Sequence, residues 1–134
     1  MVRAEFKHLK EDEKEIAERW VSHMFLQGER VWDVHLDAPD LKIPAYYTKR
    51  DVEAMKSLWA KKIDLVVKAK DAHWIVEFTP KLSKAVVGGV LSYRDMYIKQ
   101  FNPTVPVKMA VVCEVDDIAY HDTLANHNIK LWVV

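Results

Sequence analysis

The sequence predicts a single α/β domain in which a mixed β-sheet is flanked by helices on both faces. Half of its 134 residues are apolar, and a chain of this length can bury roughly two thirds of its unfolded surface in one hydrophobic core. Segments rich in β-branched residues alternate with segments of helical periodicity, and several predicted strands are apolar on both sides. No repeat, low-complexity tract or linker divides residues 1–134. We therefore expect one domain with strands buried between helices.

The first predicted helix runs from about Phe6 to Leu26. Its apolar residues recur at helical spacing and share one face. They are Phe6, Leu9, Ile16, Ala17, Trp20 and Met24. Glu13 projects near the centre of that face and interrupts it, whereas the other charged residues lie on the flanks or the opposite side.

A strand and a short helix follow. Gly28 is a stop signal for the first helix, and residues 31–37 then alternate apolar and polar side chains, which is typical of a strand with one buried and one solvent-facing side. The apolar members are Trp32, Val34 and Leu36. Pro39 and Pro44 bracket an irregular link. The next helix is predicted from Lys49 to about Ala60, with a buried stripe formed by Val52, Met55 and Trp59.

The remaining elements are predicted in the order strand, strand, helix, strand, helix, strand. The first two strands are apolar, contain many β-branched residues and are separated by a polar turn at Lys70 and Asp71, so we expect a hairpin. Ser83 is a candidate helix cap, and Pro103 and Pro106 end the helix that it begins. The predicted bounds, in chain order, are residues 63–67, 73–79, 84–100, 107–115, 118–125 and 129–134.

Composition and charge exclude several classes of protein. Lys plus Arg and Asp plus Glu number 20 each, so the formal net charge is zero and a strong global field toward nucleic acid or anionic membranes is absent. Any polyanionic partner must be met by a local basic face. Cys113 cannot form an internal disulfide, no apolar run approaches the roughly 20 residues of a membrane span, and the N-terminal residues are charged. We expect a soluble, cytoplasmic protein that does not enter a membrane.

Two acidic residues interrupt strands that are otherwise apolar: Asp64 in IDLVV and Glu77 in WIVEFTP. Buried carboxylates are costly unless they are paired or bound to a metal. If the two strands form a hairpin, both carboxylates lie at adjacent strand ends, where they can hold a hard divalent cation such as Mg²⁺. The period of two puts Glu77, Thr79 and Lys81 on one side of the strand. A cationic side chain beside a metal suits phosphodiester hydrolysis, in which negative charge develops.

The strands with Asp64 and Glu77 are followed by a helix that carries Tyr93. This stretch, residues 62–97, resembles the PD-(D/E)xK nuclease superfamily, which has an acidic residue on one strand, Glu-x-Lys on the next and then a helix with Gln-x-x-x-Tyr. Asp64 matches the first acid, Glu77 the second and Tyr93 the tyrosine. The resemblance implies a restriction-endonuclease-like core and Mg²⁺- or Mn²⁺-dependent hydrolysis of DNA by a metal-activated water, with Asp64 and Glu77 as metal ligands. In this family the leading helix often supplies a further carboxylate, for which Glu13 is the candidate.

Two residues depart from the family pattern. Thr79 stands where Glu-x-Lys has its lysine, and Gly89 stands where Gln-x-x-x-Tyr has its glutamine. The resemblance assigns that lysine to orienting or activating the water and to stabilising charge. Lys81 lies two residues further along the strand on the same nominal face, and it is the candidate to replace the missing lysine.

Basic residues near these motifs are candidate contacts to nucleic acid. Lys81 and Lys84 lie close to the predicted site, and Arg94 lies further along the helix. We name Lys84, Tyr93 and Arg94 as nucleic-acid contacts, with DNA as the expected partner, although such charges also suit an ordinary solvated surface. Most of a protein's affinity for DNA comes from phosphate contacts. A homodimer would therefore bind DNA more tightly, because it would double the basic face.

Structural roles and other functions are open as alternatives. Asp64 can be a strand-end residue bonded to neighbouring backbone, and Glu13 can favour the first turns of its helix through the dipole. Thr79 and Gly89 favour a nuclease-like domain that has lost catalysis and serves as a nucleic-acid-binding or assembly module. A third function is a protein-interaction domain in which Glu77 is an internal salt-bridge partner. Zinc-ligand spacing, Gly-rich phosphate loops and nucleophile elbows are absent from the sequence.

Overall fold

The computed structural model of the chain describes residues 9–37, 43–59 and 61–134, except for the side chains of residues 56–59. Its strands form one sheet in chain order; the first three are antiparallel neighbours and the last three parallel neighbours. The strands are β1 (Glu29–Leu36), β2 (Lys61–Lys68), β3 (His73–Lys81), β4 (Val107–Val115) and β5 (Ile129–Val133). The helices are α1 (Glu11–Ser22), α2 (Lys49–Trp59), α3 (Lys84–Phe101) and α4 (His121–Asn126), with a 3₁₀ turn at Ile118–Tyr120. The predicted fold class is confirmed: a single-domain α/β structure with helices flanking a mixed sheet.

The connections follow from the direction of the strands. The β2–β3 hairpin is confirmed, and its turn is closed by a 2.9 Å hydrogen bond from the backbone N–H of Ala69 to the carbonyl oxygen of Ala72. Parallel neighbours need a crossover, so α3 joins β3 to β4 and α4 joins β4 to β5. The predicted cap of α3 is also confirmed, because the Ser83 hydroxyl accepts a hydrogen bond from the backbone N–H of Val86.

The sheet buries an apolar cluster on each of its two faces. On one face α3 and α4 cover a cluster that includes Val66 and Val111. On the other face α1 covers a cluster that includes Leu65 and Val112. Neighbouring residues of β2 and β4 thus enter opposite clusters and are both fully buried. This is why these strands are continuous apolar runs in the sequence.

The first helix ends earlier than predicted. It stops at Ser22, and Met24 has a left-handed backbone (φ 52) and is 70% exposed. The prediction that Met24 belongs to the buried face is therefore wrong, because a turn in which its N–H bonds to the carbonyl oxygen of Val21 ends the helix first. Three predicted core residues of α1 are buried: Ile16, Ala17 and Trp20. Phe6 lies outside the described residues.

β1 does not have the single buried face that its alternating sequence predicts. Trp32 packs against the cluster under α1, whereas Val34 packs against the cluster under α3. A regular strand places residues two apart on the same side, so the prediction of one solvent-facing side is wrong. Asp33 explains the difference, because its left-handed backbone (φ 56) reverses the alternation between these two residues. Asp is one of the few residue types that tolerate this conformation.

The helix over residues 49–59 is α2, as predicted. Val52 and Met55 are half-buried. The described part of the chain includes neither Pro39 nor Ala60, and it does not include the side chain of Trp59. Within the described ranges, no helix is long and apolar enough to cross a membrane.

Candidate metal site and nucleic-acid contacts

The candidate site lies where β2 changes face. Ile63 packs on the α3 side and Leu65 on the α1 side, although they are only two residues apart. Asp64 lies between them, and the pairing of β2 with β3 ends at Leu65. The Oδ2 atom of Asp64 accepts a 2.9 Å hydrogen bond from the backbone N–H of Phe78. Asp64 therefore has the strand-end role that the sequence allowed, and this bond also fixes it against β3 next to Glu77.

A cavity of about 300 Å³ opens at this point. Four elements form its wall: α1 contributes Glu13, β2 contributes Asp64, β3 contributes Glu77, and α3 contributes Tyr93. The other residues of the lining are Phe78, Thr79, Ser83, Ala85, Val86 and Gly89. Three carboxylates from three separate elements thus line one cavity, as the sequence predicts.

Glu77 is the unusual residue of this cavity. Of the described residues it is the one charged side chain that is buried, with 7% exposure, and its Oε1 atom has no hydrogen-bond partner. Burial raises the pKa of Glu77 well above its ordinary value, and the hydrogen bond to Asp64 and the negative charges of Asp64 and Glu13 raise it further. A hydrogen bond from the backbone of Asp64 acts in the opposite direction. The anionic form of Glu77 is therefore destabilised until a positive charge enters the cavity.

Glu13 has two roles in the structure. Its Oε1 atom accepts a 3.0 Å hydrogen bond from the backbone N–H of Lys10, which caps the first turn of α1. The same side chain is half-buried and lines the cavity, and its charge contributes to the raised pKa of Glu77. The helix-terminal role and the cavity role are therefore compatible.

The donor set of the cavity suits a hard divalent cation, although the carboxylates are not arranged around one. In the described part of the chain, no group of three or more His, Cys, Asp or Glu side chains is placed to hold a metal ion. Glu77 is instead hydrogen-bonded to Asp64, as expected of a carboxylate pair in which one member carries a proton. Carboxylate oxygens are the ligands that Mg²⁺ and Mn²⁺ prefer. The Oε1 atom of Glu77, which lacks a hydrogen-bond partner in the described part of the chain, offers such a cation an unsatisfied ligand.

The predicted lysines lie outside the cavity. Lys81 is exposed at the end of β3, next to Val115 of β4, and Lys84 is exposed at the start of α3. The hydroxyl of Thr79 donates a 3.1 Å hydrogen bond to the carbonyl oxygen of Lys81. Among the described residues that line the cavity there is no lysine or arginine. That Lys81 replaces the lysine of Glu-x-Lys stays a prediction.

Two of the three predicted contacts on α3, Tyr93 and Arg94, face different sites. Tyr93 lines the carboxylate cavity, and its pKa is raised by burial and by the charges of Glu77 and Asp64. Arg94 instead donates a 3.1 Å hydrogen bond from Nε to the carbonyl oxygen of Val107 and lines a separate groove. Consecutive helical residues project about 100° apart, so they do not share a site.

Two features of the structure are not predicted by the sequence: the place of Ser83 in the cavity wall and the groove beside Arg94. Ser83 was predicted only as a helix cap, but it also lines the cavity; its position two residues after β3 was the available signal. The groove that contains Arg94 is also lined by Trp74, Lys108 and Lys130. The signal for it was a lysine within each of two apolar strands, VKMAVV and IKLWV.

Comparisons with known proteins supply no assignment for this site. No protein-family model, curated protein or solved structure matches the chain.

Proposed function

We propose that the cavity between α1, β2, β3 and α3 binds Mg²⁺ or Mn²⁺ and that the protein hydrolyses phosphodiester bonds of DNA there. The observation that carries this proposal is the buried carboxylate of Glu77 beside Asp64, with one oxygen that has no hydrogen-bond partner among the described residues. A buried polar atom without a partner costs free energy. A purely structural Glu77 would be expected to satisfy that oxygen, whereas a cation ligand gains a partner when the cation binds.

Four residues of the cavity and one lysine outside it have defined parts in this function. Asp64 and Glu77 hold the cation, and Glu13 adds a third negative charge to the wall. A bound divalent cation supplies charge neutralisation at the phosphate and increases the acidity of water. Tyr93 lines the same cavity, where its hydroxyl can donate a hydrogen bond to a phosphate oxygen. Lys84 lies at the exposed start of α3, where it can contact the DNA backbone.

Thr79 favours a second candidate, a nuclease-like domain that binds the cation and DNA but does not cleave. The PD-(D/E)xK pattern has a lysine at this position, and the Thr79 hydroxyl is hydrogen-bonded to the carbonyl oxygen of Lys81. Position 79 therefore delivers no positive charge to the cavity. In this second function a homodimer would strengthen DNA binding by doubling the basic face.

The test is cleavage of circular single-stranded and supercoiled DNA in Mg²⁺ or Mn²⁺ by the wild-type protein, Asp64→Asn and Glu77→Gln. Both substitutions keep the shape of the side chain, and an asparagine at position 64 can still accept the hydrogen bond from Phe78. We expect slow nicking by the wild type and a loss of at least about a hundredfold in each variant, since even residues that only support a ligand cost 10- to 100-fold. Glu53→Gln, on the exposed side of α2, is the matched control and should cleave normally.

The outcomes separate the two candidates. Cleavage that persists unchanged in Glu77→Gln contradicts the proposed hydrolysis. A wild-type protein that gains thermal stability from Mn²⁺ and binds DNA, but leaves circular DNA intact, supports the non-cleaving domain. Circular substrates have no ends, so any nicking also shows endonuclease action.

A further inference from the structure

A second, larger depression lies at the opposite end of β3 from the carboxylates. It is a groove of about 1140 Å³ between α3, the start of β4 and the turn from α4 to β5. The pairing of β4 with β5 begins at Met109, so the preceding residues of β4 are left beside the open groove. Trp74 lies in its wall, three residues before Glu77 on β3, which corresponds to roughly 10 Å along the strand. The two sites are therefore separate.

The groove concentrates positive charge in a chain whose formal net charge is zero. Arg94, Lys108 and Lys130 line it, and among the described lining residues Asp95 is the one carboxylate. Asp95 lies 3.3 Å from Arg94, measured from Oδ1 to Nη1. The Nε atom of Arg94 is held by the carbonyl oxygen of Val107. The lining therefore keeps a net positive charge after this ion pair is counted. Arg94 lies on α3, across the sheet from the rings of Trp74 and Trp132, so Lys108 and Lys130 supply the positive charge beside the indoles.

Two tryptophans position the two lysines. The Nζ atom of Lys108 lies 5.4 Å from the ring centroid of Trp74, its partner across the β3–β4 pair. The Nζ atom of Lys130 lies 5.6 Å from the ring centroid of Trp132. The two indole rings are 6.3 Å apart. Both lysines are exposed and both tryptophans half-buried, so ammonium groups and indole surface face solvent together.

We propose that this groove binds single-stranded nucleic acid. Lys108 and Lys130, which lie beside Trp74 and Trp132 on the α1 face of the sheet, contact the phosphates, and an unpaired base stacks on Trp74. A basic groove with accessible aromatic rings is the arrangement that binds single strands without sequence preference. The bases of a duplex already stack on one another, so a duplex can use the charges but not the indole. This site goes beyond the proposed hydrolysis, because binding here requires neither a divalent cation nor the carboxylates.

The first test measures the affinity of the full-length protein for fluorescein-labelled oligothymidylate by fluorescence anisotropy, in EDTA and at low salt. We expect the double variant Lys108→Gln/Lys130→Gln to bind about tenfold or more weakly than the wild type, with a smaller salt dependence because two phosphate contacts are lost. The matched control is Lys49→Gln/Lys99→Gln, which removes two exposed lysines outside the groove and changes the net charge equally. The control should bind like the wild type.

The second test concerns stacking. Trp74→Leu should weaken binding of the oligonucleotide about fivefold or more, and Trp74→Phe should retain most of the affinity because it keeps an aromatic face. Circular dichroism identifies any variant that fails to fold, and the lysine variants then decide the matter, because their side chains are exposed. Binding is measured in EDTA and without cleavage, so failure of the groove and failure of the proposed hydrolysis are distinguishable.

Three results would overturn the proposal. One is an equal loss of affinity in the groove variant and in its control, which would show that only net charge matters. Another is equal affinity for a blunt duplex of the same length, which would show that the indole is not used. The third is a change in sedimentation with unchanged oligonucleotide binding in Lys108→Gln/Lys130→Gln, which would make the groove a contact between two copies of the chain.

Discussion

The two regions at either end of β3 carry opposite charge. Toward its carboxyl end, three carboxylates line the cavity, without a lysine or arginine among the described lining residues. Toward its amino end, Arg94, Lys108 and Lys130 line the groove, and Asp95 is the one carboxylate among its described lining residues. A net charge of zero therefore limits the field of the whole molecule but not the field inside a cavity or groove.

The two regions also differ in burial, which determines how each responds to substitution. Glu77 is buried and its pKa is raised, so its charge is coupled to the free energy of unfolding. Lys108 and Lys130 are exposed, so removing either charge should change binding with little effect on stability. Substitutions in the carboxylate cavity should thus alter stability, catalysis and cation binding. Substitutions in the groove should alter affinity for a polyanion.

The largest expected effect comes from bringing a positive charge into the carboxylate cavity. Thr79→Lys places an ammonium group in a wall whose described residues include no lysine or arginine. We expect it to raise the rate of DNA cleavage by about a hundredfold, the usual size of the effect of a positioned catalytic group. Thr79→Met, which lengthens the side chain without adding charge, is the control. Equal rates for the two variants in a nicking assay would show that position 79 is not the missing catalytic position.

The next effect is a pH dependence of stability that belongs to Glu77. Its pKa is raised in the folded state, so the folded protein holds this proton more tightly than the unfolded chain does. Without metal, stability should fall as the pH rises above the ordinary value of 4.5, by up to about 1.4 kcal/mol per pH unit, until the folded-state pKa is passed.

The measurement is urea denaturation of Glu77→Gln and of Glu53→Gln in EDTA at a series of pH values. Glu77→Gln has no proton to lose, so it should become progressively more stable than the wild type as the pH rises. Glu53→Gln should follow the wild type, because Glu53 is exposed. A constant difference between Glu77→Gln and the wild type at all pH values would contradict the burial of an ionisable Glu77.

A smaller effect tests how the cavity wall is anchored. Ser83 caps α3 by accepting the N–H of Val86, whereas the hydroxyl of Ser92 donates to the carbonyl oxygen of Gly88 on the exposed side of the same helix. Ser83→Ala should cost about 1 kcal/mol of stability, as loss of a helix cap does. Ser92→Ala should stay within about 0.5 kcal/mol of the wild type. If thermal denaturation shows that Ser83→Ala and Ser92→Ala lose the same amount of stability, the Ser83 cap does not stabilise the protein.

The order of the elements and the meeting of Asp64 with Glu77 were predictable because both depend on local patterns. Apolar runs, a polar turn and a cap define the hairpin and α3, and a hairpin brings its two acidic interruptions to one end. The place of Glu13 in the site was predictable because a charged residue on an apolar helical face requires an explanation. The structure places Glu13 in the same cavity as Asp64 and Glu77.

The missed features depend on backbone reversals or on distant pairing. Trp32 and Val34 alternate as in a regular strand, and only the left-handed backbone of Asp33 sends them to opposite faces. The groove depends on the parallel register that puts Lys108 beside Trp74. A lysine interrupts each of the two apolar strands, but residues this far apart in the sequence carry no periodic signal that they are neighbours. The sequence therefore does not show that these charges share one groove.

The most direct test of the central claim is the melting temperature of the metal-free protein with and without excess Mn²⁺. A ligand that binds only the folded state raises the free energy of unfolding by about 2.7 kcal/mol when its concentration is a hundredfold above its dissociation constant. We therefore predict that the wild type and Glu53→Gln melt several degrees higher with Mn²⁺. Asp64→Asn and Glu77→Gln should lose that increase. An unchanged wild-type melting temperature, or an equal increase in Glu77→Gln, would contradict a cation site at these carboxylates.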